Sequence, residues 1–278
     1  MTRLRPSRLA AGGTITAGLA ALALLSRVWT PEAPARLRIA LRLRPPGAAG
    51  LLGTDAFGRD ILSNLMAGAW TTLAIAAPAV LVGLAVGTGL GLGAAAGGGW
   101  RRDAVLRLAD VIFAFPALLT ALIAATLLGP GAATAAIAIG LFTVPVFARL
   151  SYGAALTIWA QEFCLAAALA GKTRLGITRD HVLPGIAGLL AVQASQQLGF
   201  AILIEASLGY LGLSVPPPTP SWGRMLNDAQ TFLGPAPWMA VAPGAAIALA
   251  VGGFNLLGDG LRDRFDPRTR FESADTIG

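Results

Sequence analysis

The sequence predicts an all-α membrane protein that crosses the bilayer six times. Of its 278 residues, 55% are apolar and only 13% are charged, whereas roughly a quarter of the residues in soluble domains are charged. The stretch from Ile61 to Trp100 contains no Asp, Glu, Lys or Arg. A helix needs roughly 20 apolar residues to cross about 30 Å of hydrocarbon. Lipid is therefore the expected solvent for most of this chain.

Six candidate spans follow from apolar runs that lack charges. Glycine and proline occur inside them, as membrane helices allow when neighbouring helices re-satisfy the freed backbone groups. The third and fourth spans share the run 111–148, which Gly129-Pro130-Gly131 divides. In chain order the predicted spans are about 9–29, part of 70–97, the two halves of 111–148, 185–211 and 238–258.

The first span has an alternative interpretation as a cleaved signal peptide, because Arg3, Arg5 and Arg8 precede its apolar stretch. Signal peptides have apolar stretches of about 7 to 15 residues and end at a small-residue cleavage site. The stretch here is longer, and no clear A-x-A site follows it. We therefore expect a membrane span.

The distribution of Lys and Arg predicts the orientation. With both termini in the cytosol, fourteen of the 21 basic residues fall in cytosolic segments and six in external ones. Basic residues favour the cytosolic side of a membrane. The segment 36–44, RLRIALRLR, runs against this bias because it is basic and falls outside. We interpret it as an interfacial amphipathic stretch.

Composition also excludes several classes of function. The net charge of +7 does not indicate a nucleic-acid-binding protein, because the Arg residues are dispersed between apolar runs and only 7% of residues are aromatic. Cys164 is the only cysteine and His181 the only histidine, so an internal disulfide and a histidine-rich metal site are excluded. No paired acids, nucleophile with a base, or metal ligands cluster, so we predict no catalytic residue and no metal site.

The longest polar cytosolic loop, 152–184, predicts a helix, a glycine break and a second helix. An Ala-rich stretch precedes Gly171, and Leu183-Pro184 opens the next span. We expect Gly171 to end the first helix in a left-handed turn, which a side chain would resist. An ordinary loop helix would have these features, and so would a loop that bears force between subunits.

This loop resembles the EAA loop of permease subunits of binding-protein-dependent ABC importers. That pattern is E-A-A, three residues, G, nine residues, I, one residue, L-P. The matching positions here are Ala166, Ala167, Gly171, Leu183 and Pro184.

Two positions depart from the pattern. Leu165 stands where the Glu belongs, and His181 stands where the Ile belongs, although His there resembles the peptide branch of the family. The loss of the Glu weakens any expectation of a charged contact to an ATPase. It leaves the predicted helix, glycine and helix geometry intact.

Four further segments extend the resemblance to the dipeptide/oligopeptide/nickel branch of these permeases. They cover residues from about 50 to 270 in family-like order and spacing. The segments are GTDAFGRDIL (53–62), LADVIFAFP (108–116), ASLGYLGLSVPPPTPSWGRML (206–226) and FNLLGDGLRDRFDPR (254–268).

The resemblance implies a type I ABC importer permease fold with a cytosolic coupling helix, in the bacterial cytoplasmic membrane. Residues 1–69 would form an N-terminal helix and an external segment, 70–270 the transmembrane domain, and 271–278 a cytosolic tail. The implied partners are a homologous second permease in a heterodimer, two ABC ATPase subunits, an extracytoplasmic substrate-binding protein and membrane lipid. ATP-Mg would be used by the ATPases, and this chain would bind no cofactor.

Peptide is the first expected substrate, and nickel or a metal chelate is the second. A metal path would use His, Cys or Met, but His181 and Cys164 both fall in the cytosolic loop. An alternative of another class is a stand-alone secondary transporter or channel, which would carry polar relays across several spans. A membrane-embedded enzyme would need a catalytic cluster, which the sequence lacks.

A run in the coupling loop, Ala166 to Thr173, reads AAALAGKT and satisfies a loose phosphate-loop pattern. A phosphate-binding loop needs a preceding strand and glycines whose amides converge on an anion. Here Ala and Leu residues favour a continuous helix, and no strand is predicted before them. We therefore expect Lys172 to belong to the coupling loop and not to a nucleotide site.

Glu205 is the one acid well inside a predicted span. A carboxylate in the membrane is costly, so it usually faces a cavity or a partner. Two interpretations are open: a contact in the translocation path or with the companion permease, or a protonated or helix-end glutamate near the outer surface. Asp110, at the start of the third span, is expected to pair with Arg107, three residues before it.

The external loop 211–237 is rich in proline. Pro216, Pro217 and Pro218 are consecutive, and Trp222 follows shortly after. Consecutive prolines stiffen a backbone without hydrogen-bond donors. These four residues are candidates for docking a binding protein, and a rigid connector between spans is the alternative.

Overall fold

The computed structural model describes residues 5–265, with side chains described from Arg8 onward. The predicted tail 271–278 and the basic residues Arg3, Arg268 and Arg270 lie outside the described residues. Within the described range every regular element is helical, and the one β-bridge joins Thr54 to Asp60. The all-α fold class is confirmed.

Ten α-helices follow one another along the described chain. They are α1 Arg5–Leu25, α2 Ile61–Gly97, α3 Gly99–Phe113, α4 Ala117–Leu128, α5 Ala132–Trp159, α6 Glu162–Leu169, α7 Arg174–Ile177, α8 Leu183–Tyr210, α9 Trp222–Ala229 and α10 Trp238–Phe265. A π-helical turn, Thr178–Val182, joins α7 to α8, so that the whole stretch Arg174–Tyr210 is one continuous helix.

Among residues 5–265, five helical stretches are long and apolar enough to span a membrane. The α3 and α4 helices form a bent pair that makes a sixth span if it is counted as one. The sequence predicts a third span within the run 111–148 but not this bend. The two helices meet at 87°. The break falls at Pro116, which disfavours the α conformation at the preceding residue and has no N–H of its own to donate.

The centre of the bundle is the contact between α2 and α5. Three glycines of α2 lie four residues apart and face α5, where a Cβ on Gly87 would lie 2.4 Å from the Val144 carbonyl oxygen and one on Gly91 2.4 Å from that of Ala148. Gly83 meets α5 in the same way. Small residues at this spacing let membrane helices approach closely. The α1 helix packs against α10, and α8 packs against α2 and α10.

The two ends of the bundle carry different structures. At one end, here called the coupling end, α6 and α7 lie beside the end of α2, and the Arg174 guanidinium donates a hydrogen bond to the Ala96 carbonyl. The opposite end, called the lip end, carries the segments 30–60 and 211–237, where Trp238 Nε1 donates to the Thr54 carbonyl over 3.4 Å.

The sequence suggested an interfacial amphipathic stretch at 36–44, and the structure shows that this segment is not an α-helix. Its only regular element is a single 3-10 turn, Ile39–Leu41. The chain instead wraps around the start of α2: Arg38 pairs with Glu32 over 2.6 Å, and its Nε donates to the Gly58 carbonyl over 3.3 Å. The segment alternates Arg with apolar residues at period two, which does not give a helix one apolar face.

The motif 53–62 lets the segment 36–44 pack closely against it. Gly58 has φ +73°, and a Cβ on it would lie 1.8 Å from the Arg38 carbonyl oxygen. Asp60 caps α2 by accepting from the Ser63 amide over 2.8 Å. Glycine at position 58 is therefore required both by the backbone conformation and by the close approach of the neighbouring loop.

We predict that the coupling end is cytosolic and the lip end external. Single cysteines at Ala48, in the lip-end segment, and at Ser273, outside the described residues, would be compared after Cys164 is replaced. In intact cells, an impermeant thiol reagent should label Ala48→Cys and not Ser273→Cys, because basic residues concentrate on the side of Ser273. Labelling of Ser273→Cys alone would reverse the orientation.

Candidate functional site

One side of α6 packs against the bundle. Cys164 is buried, and Ala167 packs partly buried against the core. On the other arm of the coupling loop, Ile177 and Val182 are also buried. Apolar residues thus anchor both arms, and the remaining residues of α6 are exposed.

Gly171 ends α6 in the predicted left-handed conformation, with φ +82°. The Lys172 amide donates to the Ala167 carbonyl over 3.1 Å, and the Gly171 amide donates to the Ala168 carbonyl over 3.0 Å. This pair of bonds is the Schellman pattern, in which the residue after the helix adopts a positive φ. A Cβ on Gly171 would meet no atom within 4 Å, so a substitution is opposed by the backbone conformation alone.

A continuous helix connects the coupling loop to the lip end. It begins after Thr173, whose hydroxyl accepts from the Gly176 amide over 3.2 Å, and it runs from Arg174 to Tyr210. The π turn lies immediately before Pro184, which cannot donate to the helical ladder and crowds the carbonyl four residues earlier. No loop therefore intervenes between α7 and α8.

Four large apolar side chains of the coupling loop are exposed. Leu169 is 90% exposed, Leu175 79%, Leu165 59% and Phe163 51%. Leu165, which stands where the family pattern has Glu, belongs to this surface. The four side chains offer a hydrophobic contact to a partner. Sequence reasoning missed Phe163, Leu169 and Leu175, although their position around the Gly171 turn was available as a signal.

Lys172 and the residues near it form a small polar group beside this surface. The Lys172 Nζ pairs with Asp180 over 2.8 Å and lies 3.4 Å from His181 Nε2. The hydrogen bond and the charge of Lys172 hold the pKa of the Asp180 carboxyl below its usual range. The His181 ring contacts Phe163 with a centroid distance of 5.8 Å.

The AAALAGKT run does not have the geometry of a phosphate loop. Its first four residues end α6, and the Ala170 amide donates to the Ala166 carbonyl over 3.0 Å. Helical hydrogen bonds therefore occupy amides that a phosphate loop would direct at an anion. The element before this run is the long helix α5, not a strand.

Glu205 lies at the centre of a buried polar cluster near the lip end. Its side chain has no exposed surface. Thr72 on α2 donates to its carboxyl group over 2.8 Å, Ser214 in the lip-end loop donates over 2.9 Å, and the Ser221 hydroxyl also faces it. The structure thus places Glu205 inside the chain, where it joins α2, α8 and the start of α9. It reaches neither an open path nor an outer surface in this conformation.

Trp222 was a wrong candidate for docking a binding protein. The residue is fully buried, and its Nε1 donates to the Leu65 carbonyl on α2 over 3.0 Å. The neighbouring Gly223 lies so close to α8 that a Cβ would be 2.1 Å from the Ala206 carbonyl oxygen. The tryptophan is an anchor that fixes α9 across the bundle. Sequence alone could not separate an exposed aromatic from this buried one.

Pro216, Pro217 and Pro218 are exposed, and Pro217 and Pro218 line a lip-end cavity of about 350 Å³. A chain of charges lies along this cavity: Arg59 pairs with Asp55 over 2.5 Å and with Asp228 over 3.2 Å. Arg224 pairs with Asp228 over 3.1 Å. The ion pairs connect α9 to the segment that precedes α2. They therefore hold in place the two parts of the chain that lie beside the prolines. The i,i+4 spacing of each local pair was a signal in the sequence.

Asp110 does not pair with Arg107 as predicted. It forms an ion pair with Arg149 on α5, and the Arg149 guanidinium also lies 5.1 Å from the centroid of the Phe113 ring. Since α3 packs against α5, a cation on the facing helix reaches the carboxylate across the contact.

Comparison with known proteins supports a single family. Residues 87–271 match the model of the binding-protein-dependent transport system inner membrane component. Relatives include the glutathione transport system permease protein GsiD of Escherichia coli O157:H7 and that of Shigella sonnei (strain Ss046). Each is 44% identical to this chain over 225 residues, which cover 81% of this chain and 74% of the relative.

Proposed function

Because the chain belongs to the binding-protein-dependent transport system inner membrane components and is an ABC importer permease of the peptide/oligopeptide branch, we propose that it forms one half of a path through which short peptides enter the cell. The stand-alone transporter or channel considered from the sequence is replaced by this assignment. The ATPases, the second permease and the binding protein are proposed partners.

The observation that carries the proposal is the coupling loop. It combines a short helix, a left-handed glycine and a continuous helix that crosses the bundle. Its outward side presents Leu165, Leu169 and Leu175 to a partner. An apolar surface of this kind, on helices anchored to the bundle, suits a subunit that moves by several ångströms and must pull the membrane helices with it.

The proposed cycle uses the two ends in turn. A binding protein delivers peptide at the lip end, where Pro216–Pro218 lie beside the ion pairs of Arg59 and Arg224. ATP binding closes the two ATPases, and the coupling loop follows them. The helix Arg174–Tyr210 carries this movement to the lip end and changes the side from which the path is open.

Peptide is proposed because the relatives are named as glutathione permeases, and glutathione is a tripeptide. The sequence identity supports the same chemical class and does not extend to the particular compound.

The test is transport by the assembled complex. The two permeases, the ATPases and the binding protein would be purified, reconstituted in liposomes and assayed for ATP-dependent uptake of labelled trialanine and S-methylglutathione. Uptake of a peptide only when ATP and binding protein are both present is expected. ATP-independent exchange, or uptake of a nickel chelate but of no peptide across a varied set, would contradict the proposal. A complex with inactivated ATPases is the control.

A further inference from the structure

The helix α8 has one face that no other described helix covers fully. Its residues follow each other at helical spacing, three or four apart. They are Leu189, Gln193, Gln196, Phe200, Leu203 and Ser207. The leucines and Phe200 are 40% to 42% exposed. The other faces of α8 are covered by α10 and by α2, which Glu205 contacts through Thr72. At the edges of the uncovered face, the Gln196 stem lies beside Gly258 of α10 and the Phe200 ring lies beside Phe142 of α5.

Carboxamides occupy the middle of this face. The midpoint of α8 falls at Gln196, and Gln193 and Gln197 lie on either side. Within residues 5–265, none of the three side chains forms a hydrogen bond. The Gln197 Oε1 atom is in addition buried without a partner.

Unpartnered carboxamides at this depth do not suit contact with lipid. Hydrocarbon offers no hydrogen bonds, so a polar group in it is costly unless another group satisfies it. Residues of this kind in membrane helices usually face the bundle interior or a water-filled cavity. The groups that satisfy Gln193 and Gln196 therefore lie outside the described part of the chain.

The neighbouring wall is aromatic and uncharged. The ring of Phe200 lies 5.9 Å from that of Phe142 on α5, and Phe142 lies 5.6 Å from Phe113 on α3. The row ends near the coupling end at Arg149, whose charge is paired with Asp110. A surface of carboxamides and aromatic rings offers hydrogen-bond donors, hydrogen-bond acceptors and ring stacking, and it carries no net charge.

We propose that the Gln193 and Gln196 carboxamides line the substrate path and hydrogen-bond to the peptide groups of a passing peptide. A carboxamide carries one acceptor oxygen and a donor NH₂, which is the complement of a peptide group. The carboxylate at the end of the aromatic row, Asp110, is paired with Arg149, so this surface offers hydrogen bonds to peptide groups and that carboxylate is not free to hold a metal cation. The inference rests on the proposed function and names the residues that would contact the substrate.

The mechanical position of this face fits the same role. Gln193 and Gln196 lie on the continuous helix that starts in the coupling loop at Arg174. A shift of the coupling loop therefore moves the carboxamides as well. Binding to the peptide is expected to weaken when α8 moves, which allows release at the cytosolic side.

The test is thiol labelling in the assembled importer. Gln193→Cys and Gln196→Cys would be made singly after Cys164→Ala. Leu249→Cys would serve as control because this residue lies near the middle of α10 and is 57% exposed. A charged, impermeant maleimide should label the two α8 cysteines at least about tenfold faster than the control. Binding protein loaded with trialanine should protect them, and trapping the ATPases closed should change their rates.

Transport gives a second measurement. Gln193→Leu with Gln196→Leu should lower kcat/KM for trialanine uptake by roughly tenfold, the factor expected for about one lost hydrogen bond. The ATPases should remain attached.

The alternatives have distinct outcomes. No labelling at either position, with full transport by the double variant, would place lipid on this face and overturn the proposal. Cross-linking of both cysteines to the second permease without labelling would make it a subunit interface and overturn it equally. The parental complex could transport no peptide while the labelling rates of the two cysteines still change with ATP. That result would overturn the assignment of peptide as substrate and would still support Gln193 and Gln196 as lining residues of the path.

Discussion

Replacing Gly171 with valine is expected to lower peptide uptake and substrate-stimulated ATP hydrolysis by roughly tenfold while the permease still inserts and binds its binding protein. Gly171 has φ +82°, where a β-branched residue is a steric outlier. Forcing a side chain into this conformation costs about 1 kcal/mol or more. No neighbouring atom would clash, so the strain must be relieved by turning α6 relative to α7. The apolar surface would then be aimed away from the ATPase.

A matched change separates coupling from general damage. Gly140→Ala lies within α5, and its Cβ would make an ordinary contact, 3.7 Å from the Ala79 carbonyl oxygen. It should transport at close to the parental rate. ATPase attachment would be measured by copurification, and coupling by the ratio of uptake to ATP hydrolysed. Parental uptake by Gly171→Val with the ATPase attached would show that the loop is only a connector.

Replacing Glu205 with leucine is expected to destabilise the lip end and to reduce the amount of folded complex severely. The carboxyl group accepts hydrogen bonds from Thr72 and Ser214 and faces Ser221. Leucine removes the acceptor and leaves these buried hydroxyls unpaired, and each unpaired group costs about 1–3 kcal/mol. The loss should appear as a lower unfolding temperature of the purified complex and as weaker docking of the binding protein.

Two milder variants test the assignment to hydrogen bonding. Glu205→Gln keeps one acceptor oxygen and the shape of the side chain, so it should retain most of the stability. Thr72→Val removes a single donor and should cost about 1 kcal/mol. If Glu205→Leu unfolds at the parental temperature and transports normally, the buried cluster has no structural role at the lip.

Local rules predicted the parts of the molecule that depend on local chemistry. Charge-free runs gave the spans, because hydrocarbon excludes charges over a fixed length. The left-handed turn at Gly171 followed from helix-ending chemistry, and the confirmed φ depends on no distant contact. The family pattern predicted the coupling loop. Leu165, which stands where that pattern has Glu, is exposed.

The wrong predictions concern residues whose surroundings are set by tertiary contacts. Whether Trp222 faces solvent depends on the carbonyl of Leu65, more than 150 residues earlier in the chain. The partner of Asp110 is on α5 and not one turn away, because the packing of α3 on α5 brings Arg149 closer. Two signals were present but unused: the α2 glycines at four-residue spacing, and the carboxamides Gln193 and Gln196 in the middle of a span.

The central claim is that the coupling loop contacts an ATPase, and one cross-linking measurement tests it most directly. A photoreactive amino acid would replace Leu169, which is 90% exposed on the loop, and a second variant would carry it at Phe57, which is 49% exposed at the lip end. In the assembled importer, Leu169 is expected to cross-link to the ATPase subunit in an ATP-sensitive manner and Phe57 is not. An intact complex in which the ATPase is captured from Phe57 but not from Leu169 would contradict the account.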